Sequence, residues 1–327
     1  MKPYFGKKVI ITGGLGFIGS SLARQLVHLG AEVTLVDSLI PIYGGNLFNI
    51  HDIIEEVRVN VCDVRDEFAM AYLLKEQDFL FNLAGQTSHV DSMHDPFTDL
   101  DINSAAQLSI LEVCRKHNPS IKVVFASTRQ IYGKPLYLPV DESHPLRPVD
   151  VNGINKLAGE GYHILYNDVY GVRACALRLT NTYGPGMRVK DARQTFLGIW
   201  VSRIIEGRPL QVFGSGDQLR DFNYVSDCVA ALLAVGASDV SNGKVYNLGS
   251  SEVVSLLSLA ELLVEIEPQA SYEIVEFPSE RKAIDIGDYY GDFSRLNREF
   301  SWLPVVDLKE GLQRTISYYR ENISYYL

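Results

Sequence analysis

The chain has 327 residues, 46% of them hydrophobic and 21% charged, which excludes disorder, collagen-like repeats and coiled coil. At this length the expectation is about two domains, or one large α/β domain with an elaboration, and enough chain to bury a core without staples. Thirty Lys and Arg against forty Asp and Glu leave a net charge of −10 with no basic run, which argues against nucleic-acid and membrane-surface binding. A small anion held by a few placed arginines remains compatible with that balance.

The first predicted strand is VIIT (9–12), an apolar run too short for a signal sequence or a membrane span. Further strands are predicted at VTLV (33–36), VRVN (57–60), FLFNLA (79–84), KVVFAS (122–127) and RACALRL (173–179). Between them lie helical stretches at 21–30, 67–77, 103–117 and 156–171. Strands separated by helical crossovers predict an α/β, doubly wound parallel sheet of Rossmann type, and the continuous apolar strands fit a sheet covered on both faces. Beyond about residue 180 the pattern changes to a turn-rich NTYGPGM (181–187), helices at 195–207, 252–266 and 309–322, and short strands such as PLQVFG (209–214). The expected division is 1–180 for the sheet domain and 181–327 for a smaller mixed α/β domain, with the chain returning to the sheet near 225–249. Cys62, Cys114, Cys175 and Cys228 form no CxxC pair, so neither a metal site nor a disulfide framework is expected, and a reducing, cytoplasmic compartment is.

Gly13, Gly16 and Gly19 follow the first strand and open the first helix. In that context glycines permit a tight turn and close approach of backbone to a pyrophosphate, which the helix N-terminus meets with free N–H groups. Asp37 ends the second strand, 18 residues after Gly19 (37 − 19). A carboxylate there accepts from ribose hydroxyls and repels a 2′-phosphate by ~4 kcal/mol at about 4 Å, so NAD is expected in preference to NADP. Asp63 follows the third strand, with two readings: the adenine edge, or a helix cap before Val64 and Arg65.

These segments resemble the extended short-chain dehydrogenase/reductase family, the nucleotide-sugar epimerases and dehydratases. The resemblance rests on TGGLGFIGS (12–20), CDVRD (62–66), FNLAGQTSHVDSMHDP (81–96), FASTRQIYG (125–133), NGINKLAGE (152–160), RLTNTYGPG (178–186), VFGSGDQLRDFNYVSD (212–227) and RKAIDIGDYYGD (281–292), taken in order. UDP-hexose 4-epimerases and the CDP-tyvelose 2-epimerase are the most similar branches, the latter through AGQ (84–86), STRQIYG (127–133) and ARQTFLGIW (192–200).

The resemblance implies bound NAD, contacted by Gly13, Gly16, Phe17, Ile18, Gly19, Asp37, Ser38, Asp63, Val64, Leu83, Ala84, Gln86, Asn103 and Lys156. It also implies reversible oxidation of a nucleotide-diphosphate sugar, UDP- or CDP-linked, with Asn181, Arg220 and Arg281 toward the diphosphate. Thr128 and Lys156 occupy two of the family's three catalytic positions, but the third, where a Tyr is expected, is Asn152. A carboxamide is no general base near neutral pH. Three readings are open: another group such as His89 or Tyr183 reaches the sugar, Lys156 acts directly or through a water held by Asn152 and Thr128, or the chain binds without efficient turnover.

Arg129 and Gln130 stand where the family's dehydratases carry an Asp and a Glu, which disfavours dehydration and decarboxylation. Arg129 instead suits an anionic substituent or a keto oxygen. His89, on the loop after the fourth strand, is a candidate sugar contact, and Gln130 is also expected on the substrate side. The leading expectation is an epimerase that recycles NAD in each turnover; the rivals are a binding-only pseudoenzyme and a one-way keto-sugar reductase. By analogy a homodimer is expected through helices 103–117 and 154–170, whose apolar faces (Leu108, Leu111, Leu157, Ile164) suit packing on the sheet equally well.

Overall fold

The computed structural model describes residues 3–40, 42–191, 193 and 195–327, so Ala192 and Gln194 of the 192–200 segment lie outside the described residues. Seven parallel strands form the main sheet: β1 (Lys8–Thr12), β2 (Glu32–Asp37), β3 (Val57–Val61), β4 (Phe79–Asn82), β5 (Lys122–Thr128), β6 (Arg173–Leu179) and, from much later in the chain, Val245–Asn247. Three strands lie between: β7 (Asn181–Tyr183), β8 (Leu210–Phe213) and β9 (Leu219–Tyr224), so Val245–Asn247 is β10; β11 (Val253–Ser255) and β12 (Tyr272–Val275) come after it. The sheet order is β3-β2-β1-β4-β5-β6-β10, and it reverses direction between β1 and β4. That reversal opens a crevice beyond the carboxyl ends of the strands, the place where doubly wound sheets take ligands.

Both faces are covered. Six of the helices are α1 (Phe17–His28), α2 (Glu67–Leu73), α3 (His89–His94), α4 (Pro96–Leu100), α5 (Ala106–His117) and α6 (Val151–Tyr170). Next come α7 (Phe196–Ile205) and α8 (Val225–Gly236). α1 and α8 pack together over one face, while α2, α5 and α6 cover the other, each face with its own apolar core. The strands are buried from both sides, with Val9, Ile10, Ile11, Leu80, Phe81, Val123 and Val124 at most 1% exposed, which is why they read as continuous apolar runs.

The remaining part holds a three-stranded sheet, β11-β9-β7, and the pair β12-β8. α9 (Leu256–Ile266) and, at the C-terminus, Leu308–Asn322 pack beside them. The helix predicted over 252–266 begins only at Leu256, because Val253–Ser255 pairs antiparallel with β9. α8 was not legible as a separate helix: it is apolar nearly all round, with Val225, Cys228, Val229, Ala231, Leu232 and Val235 buried, so no polar face marks it. Ahead of α5 the chain makes a π-helical turn over Asp101–Ala105. Among the described residues no helix is long and apolar enough to cross a membrane.

Leu111, expected on a dimer face, is fully buried, and Leu108 and Leu157 pack against the cores, so these side chains serve the fold. The apolar residues that α6 turns outward are Ile154, Leu165, Val169 and Tyr170.

Candidate active site

A cleft of about 990 Å³ runs from the glycine turn after β1, across the ends of β4 and β5, to the second domain. At its first end Gly13 has φ +68°, and a Cβ there would lie 3.0 Å from the Ala84 nitrogen; a Cβ on Gly19 would strike the Gly13 carbonyl oxygen at 2.2 Å. Only glycine fits either position. No side chain caps the N-terminus of α1 and its first turn carries no acid, so its leading N–H groups are available to a phosphate. Asp37 accepts from the N–H groups of Leu15 and Leu39 at 3.1 and 2.9 Å. Burial raises its carboxyl above the ordinary value, and the two N–H bonds pull the other way. Gly45 closes against it, since a Cβ there would come 2.6 Å from Asp37 Oδ1. The shape and charge of this cradle fit an adenosine diphosphate, with Asp37 as the residue that would hold its ribose.

Gly16, Phe17, Ile18, Ser38, Asp63, Val64, Leu83, Ala84 and Gln86 all line the same cleft. Asp63 is no helix cap: Asp66 caps α2 through the N–H groups of Phe68 and Ala69, and Asp63 is gripped by Arg65 at 2.7–3.0 Å. Asn103 lies beneath the floor rather than on it. It is fully buried, with its amide nitrogen donating to the Gln86 carbonyl at 2.9 Å and to Asp99 at 3.0 Å.

In the middle of the cleft stand Thr128, Lys156, Asn152 and His89. Thr128 ends β5, and its hydroxyl accepts from the Gln130 N–H at 3.2 Å. Lys156 reaches up from α6 and donates to the Ala126 carbonyl at 3.0 Å, with its ammonium 4.8 Å from the Phe125 ring centroid. Burial pushes its pKa down to about 8, with the Asp99 charge opposing. Asn152 is 2% exposed, and its amide nitrogen is committed to the Gln86 carbonyl at 2.8 Å and Asp99 at 3.0 Å. The fully buried Asp99 thereby collects three asparagine amides, the third from Asn155 at 2.8 Å.

Tyr183, one of the alternatives for the missing phenol, is 1% exposed, bonds the Leu308 carbonyl at 3.3 Å and does not line the cleft. That alternative is overturned. His89 does line it, and its Nδ1 lies 3.0 Å from Asp150 Oδ2, a charge-pair distance with imperfect hydrogen-bond alignment. Asp150 carried no signal in the sequence, because the pair spans 61 residues (150 − 89).

At the far end Arg129 donates to Asn181 Oδ1 at 3.0 Å and its guanidinium lies 5.2 Å from the Tyr289 ring centroid. Arg220 pairs with Asp285 at 3.5 Å, and burial together with the neighbouring Arg129 charge holds its pKa down to about 10. Arg281 sits 5.5 Å from the Phe213 ring centroid, and Phe213 is paired with Phe277 at 5.8 Å. The ring pair and the three guanidinium groups line one stretch of wall, suited to a flat base and an anionic tether. Phe277 was not singled out in the sequence.

A Rossmann sheet with a glycine cradle, an acidic strand end and an arginine-walled second compartment defines a dinucleotide-dependent enzyme. Residues 9–249 match the NAD dependent epimerase/dehydratase family, and the chain belongs to it, with NAD as its cofactor. A Methanocaldococcus jannaschii protein bearing the name "Putative UDP-glucose 4-epimerase" is 32% identical over 317 residues, covering 96% of this chain and 99% of that one. Two solved structures are similar along their whole length: UDP-glucose 4-epimerase from Thermotoga maritima with UDP-glucose (28% identity, TM-score 0.89, covering 97% and 99% of the two chains) and its counterpart from Thermus thermophilus with NAD (28%, 0.86, 96% and 99%).

Proposed function

We propose that the chain is an NAD-dependent nucleotide-sugar epimerase working through a transient keto-sugar. The observation that carries this reading is the single cleft joining the glycine and Asp37 cradle to the arginines of the second domain. Its volume of about 990 Å³ stands at the top of the roughly 300–1,000 Å³ range of small-molecule sites, room for a second ligand beside the dinucleotide. Bound NAD supplies a hydride acceptor and, in the return step, the donor. Arg220 and Arg281 hold the diphosphate of a UDP- or CDP-linked sugar, Asn181 and Arg129 meet the sugar side, and Thr128 hydrogen-bonds the reacting oxygen. Lys156 keeps the nicotinamide end of the cleft positive.

Elimination chemistry is disfavoured by the two residues after Thr128. Arg129 is stacked on Tyr289 and Gln130 donates to Asp150 at 2.7 Å, so both side chains have fixed work and neither is a carboxylate. Incubating the purified protein with UDP-, CDP-, GDP- and dTDP-sugars and resolving the products by NMR tests the reading. Sugar isomers are expected without net NADH; stoichiometric NADH consumption marks the one-way reductase instead. Silence across the panel, with NAD and nucleotide bound, would favour the binding-only reading, which the tethered Asn152 amide supports. The outward apolar residues of α6, with Phe97 and Leu100 of α4, support a homodimer.

A further inference from the structure

Oxidising a sugar hydroxyl requires a group that takes the hydroxyl proton, and the side chain expected to do so is an amide in this chain. Several of the other titratable side chains along the cleft are occupied. Asp91 and Asp191 are held by Arg193 at 2.7 and 2.8 Å, and Asp285 faces Arg220. Lys156 gives one of its three N–H groups to the Ala126 carbonyl.

His89 is placed differently. It opens α3, and Ser92 of that helix accepts the Asn152 N–H at 3.2 Å, which seats α3 on the first turn of α6. Asp150 caps that turn: Oδ1 accepts the Gly153 N–H at 2.6 Å, and Oδ2 accepts from Gln130 while lying 3.0 Å from His89 Nδ1. The Asp150 side chain is 0% exposed and cannot turn away, whereas the imidazole is 36% exposed. Its Nε2 makes no hydrogen bond among the described residues. Nδ1 is buried beside the carboxylate, outside hydrogen-bond alignment in this geometry; a small ring rotation that aligns the two puts the proton on Nδ1 and leaves the lone pair on Nε2.

We propose that His89 is the acid–base group of the sugar oxidation and Asp150 its positioning residue, an inference that rests on the epimerase reading above. The hydroxyl O–H bond breaks and its proton passes to Nε2. The oxygen electron pair forms the C=O bond as the carbinol hydrogen leaves with its pair to NAD⁺, and the imidazolium is balanced by Asp150. On return the carbonyl carbon regains a hydride and the oxygen regains the proton from Nε2. Gln130, one of the two non-acidic residues after Thr128, then helps to fix the carboxylate that backs the base.

The test uses holoenzyme with the nucleotide-sugar panel, comparing the natural chain with His89→Ala and Asp150→Asn, the latter keeping an oxygen to cap α6. His89→Ala is expected to lower kcat by about 10²–10⁴-fold, with UDP or CDP affinity by calorimetry unchanged. Added imidazole should restore a measurable part of that loss, which a structural role would not permit. Asp150→Asn is expected to lower kcat by roughly 10-fold or more with KM unchanged. An active natural chain alongside an equally active His89→Ala overturns this proposal and leaves the epimerase reading intact. So does a loss that imidazole cannot restore and that brings loss of nucleotide binding. A natural chain that converts nothing while binding NAD and nucleotide overturns both.

Discussion

Lys156→Met should make the NAD-free protein more stable. The ammonium is buried, and its pKa falls from the ordinary 10.5 to about 8. At 1.36 kcal/mol per pH decade that is about 3 kcal/mol of disfavoured charge at pH 7. Methionine keeps most of the volume and removes the charge, but it also removes the donor from the Ala126 carbonyl, which offsets about 1 kcal/mol. A gain of about 2 kcal/mol at pH 7 remains. The pH dependence has a fixed sign. Between about 8 and 10.5 the unfolded lysine holds a proton that the folded one has lost, so the natural chain gains stability as pH rises through that window. The variant lacks this increment, so its advantage should shrink toward pH 10. Urea unfolding of both proteins at pH 7 and pH 9.5 measures it. A variant less stable at pH 7, or a difference that does not change with pH, would refute the reasoning.

Three further outcomes are expected. Asp37→Asn should erase most of the discrimination against NADP, by about 10²–10³-fold from the ~4 kcal/mol repulsion, read by titrating both dinucleotides. Arg281→Ala should weaken UDP or CDP binding by the ~1.5–3 kcal/mol of a charged hydrogen bond while leaving NAD affinity alone. Glu160→Gln should destabilise the fold by about 3–5 kcal/mol in urea, because Arg178, paired with Glu160 at 2.5 Å and 3% exposed, keeps a buried charge without its counterion.

Much of the sheet was legible because its signals are local. Gly13 to Gly19 and Asp37 sit within 25 residues (37 − 13 = 24 positions apart), and a buried strand writes its burial directly into a run such as VIIT. The arginines of the second domain were legible through motif order. What escaped depends on contacts between distant segments. The start of the helix predicted over 252–266 gave way to a strand because β9 was there to pair with it. Tyr183 looked available beside a turn-rich stretch, yet the C-terminal helix covers it, with Leu308 accepting its hydroxyl. His89 was visible as a loop histidine, but its distinction from an ordinary one is Asp150, and only the packing of α3 on α6 brings the two together.

The asparagine amides around Asp99 have a bearing on protein engineering. Asn152 is a strut as well as a substitution: it ties the loop carbonyl of Gln86 to a carboxylate sealed from solvent. Installing a phenol at 152 would withdraw one of three donors from that carboxylate and one of the two amides on the carbonyl, leaving the carbonyl to Asn103. Redesign toward tyrosine chemistry must therefore rebuild Asp99, Asn103 and Asn155 together, since the amide and the phenol each demand a scaffold of their own.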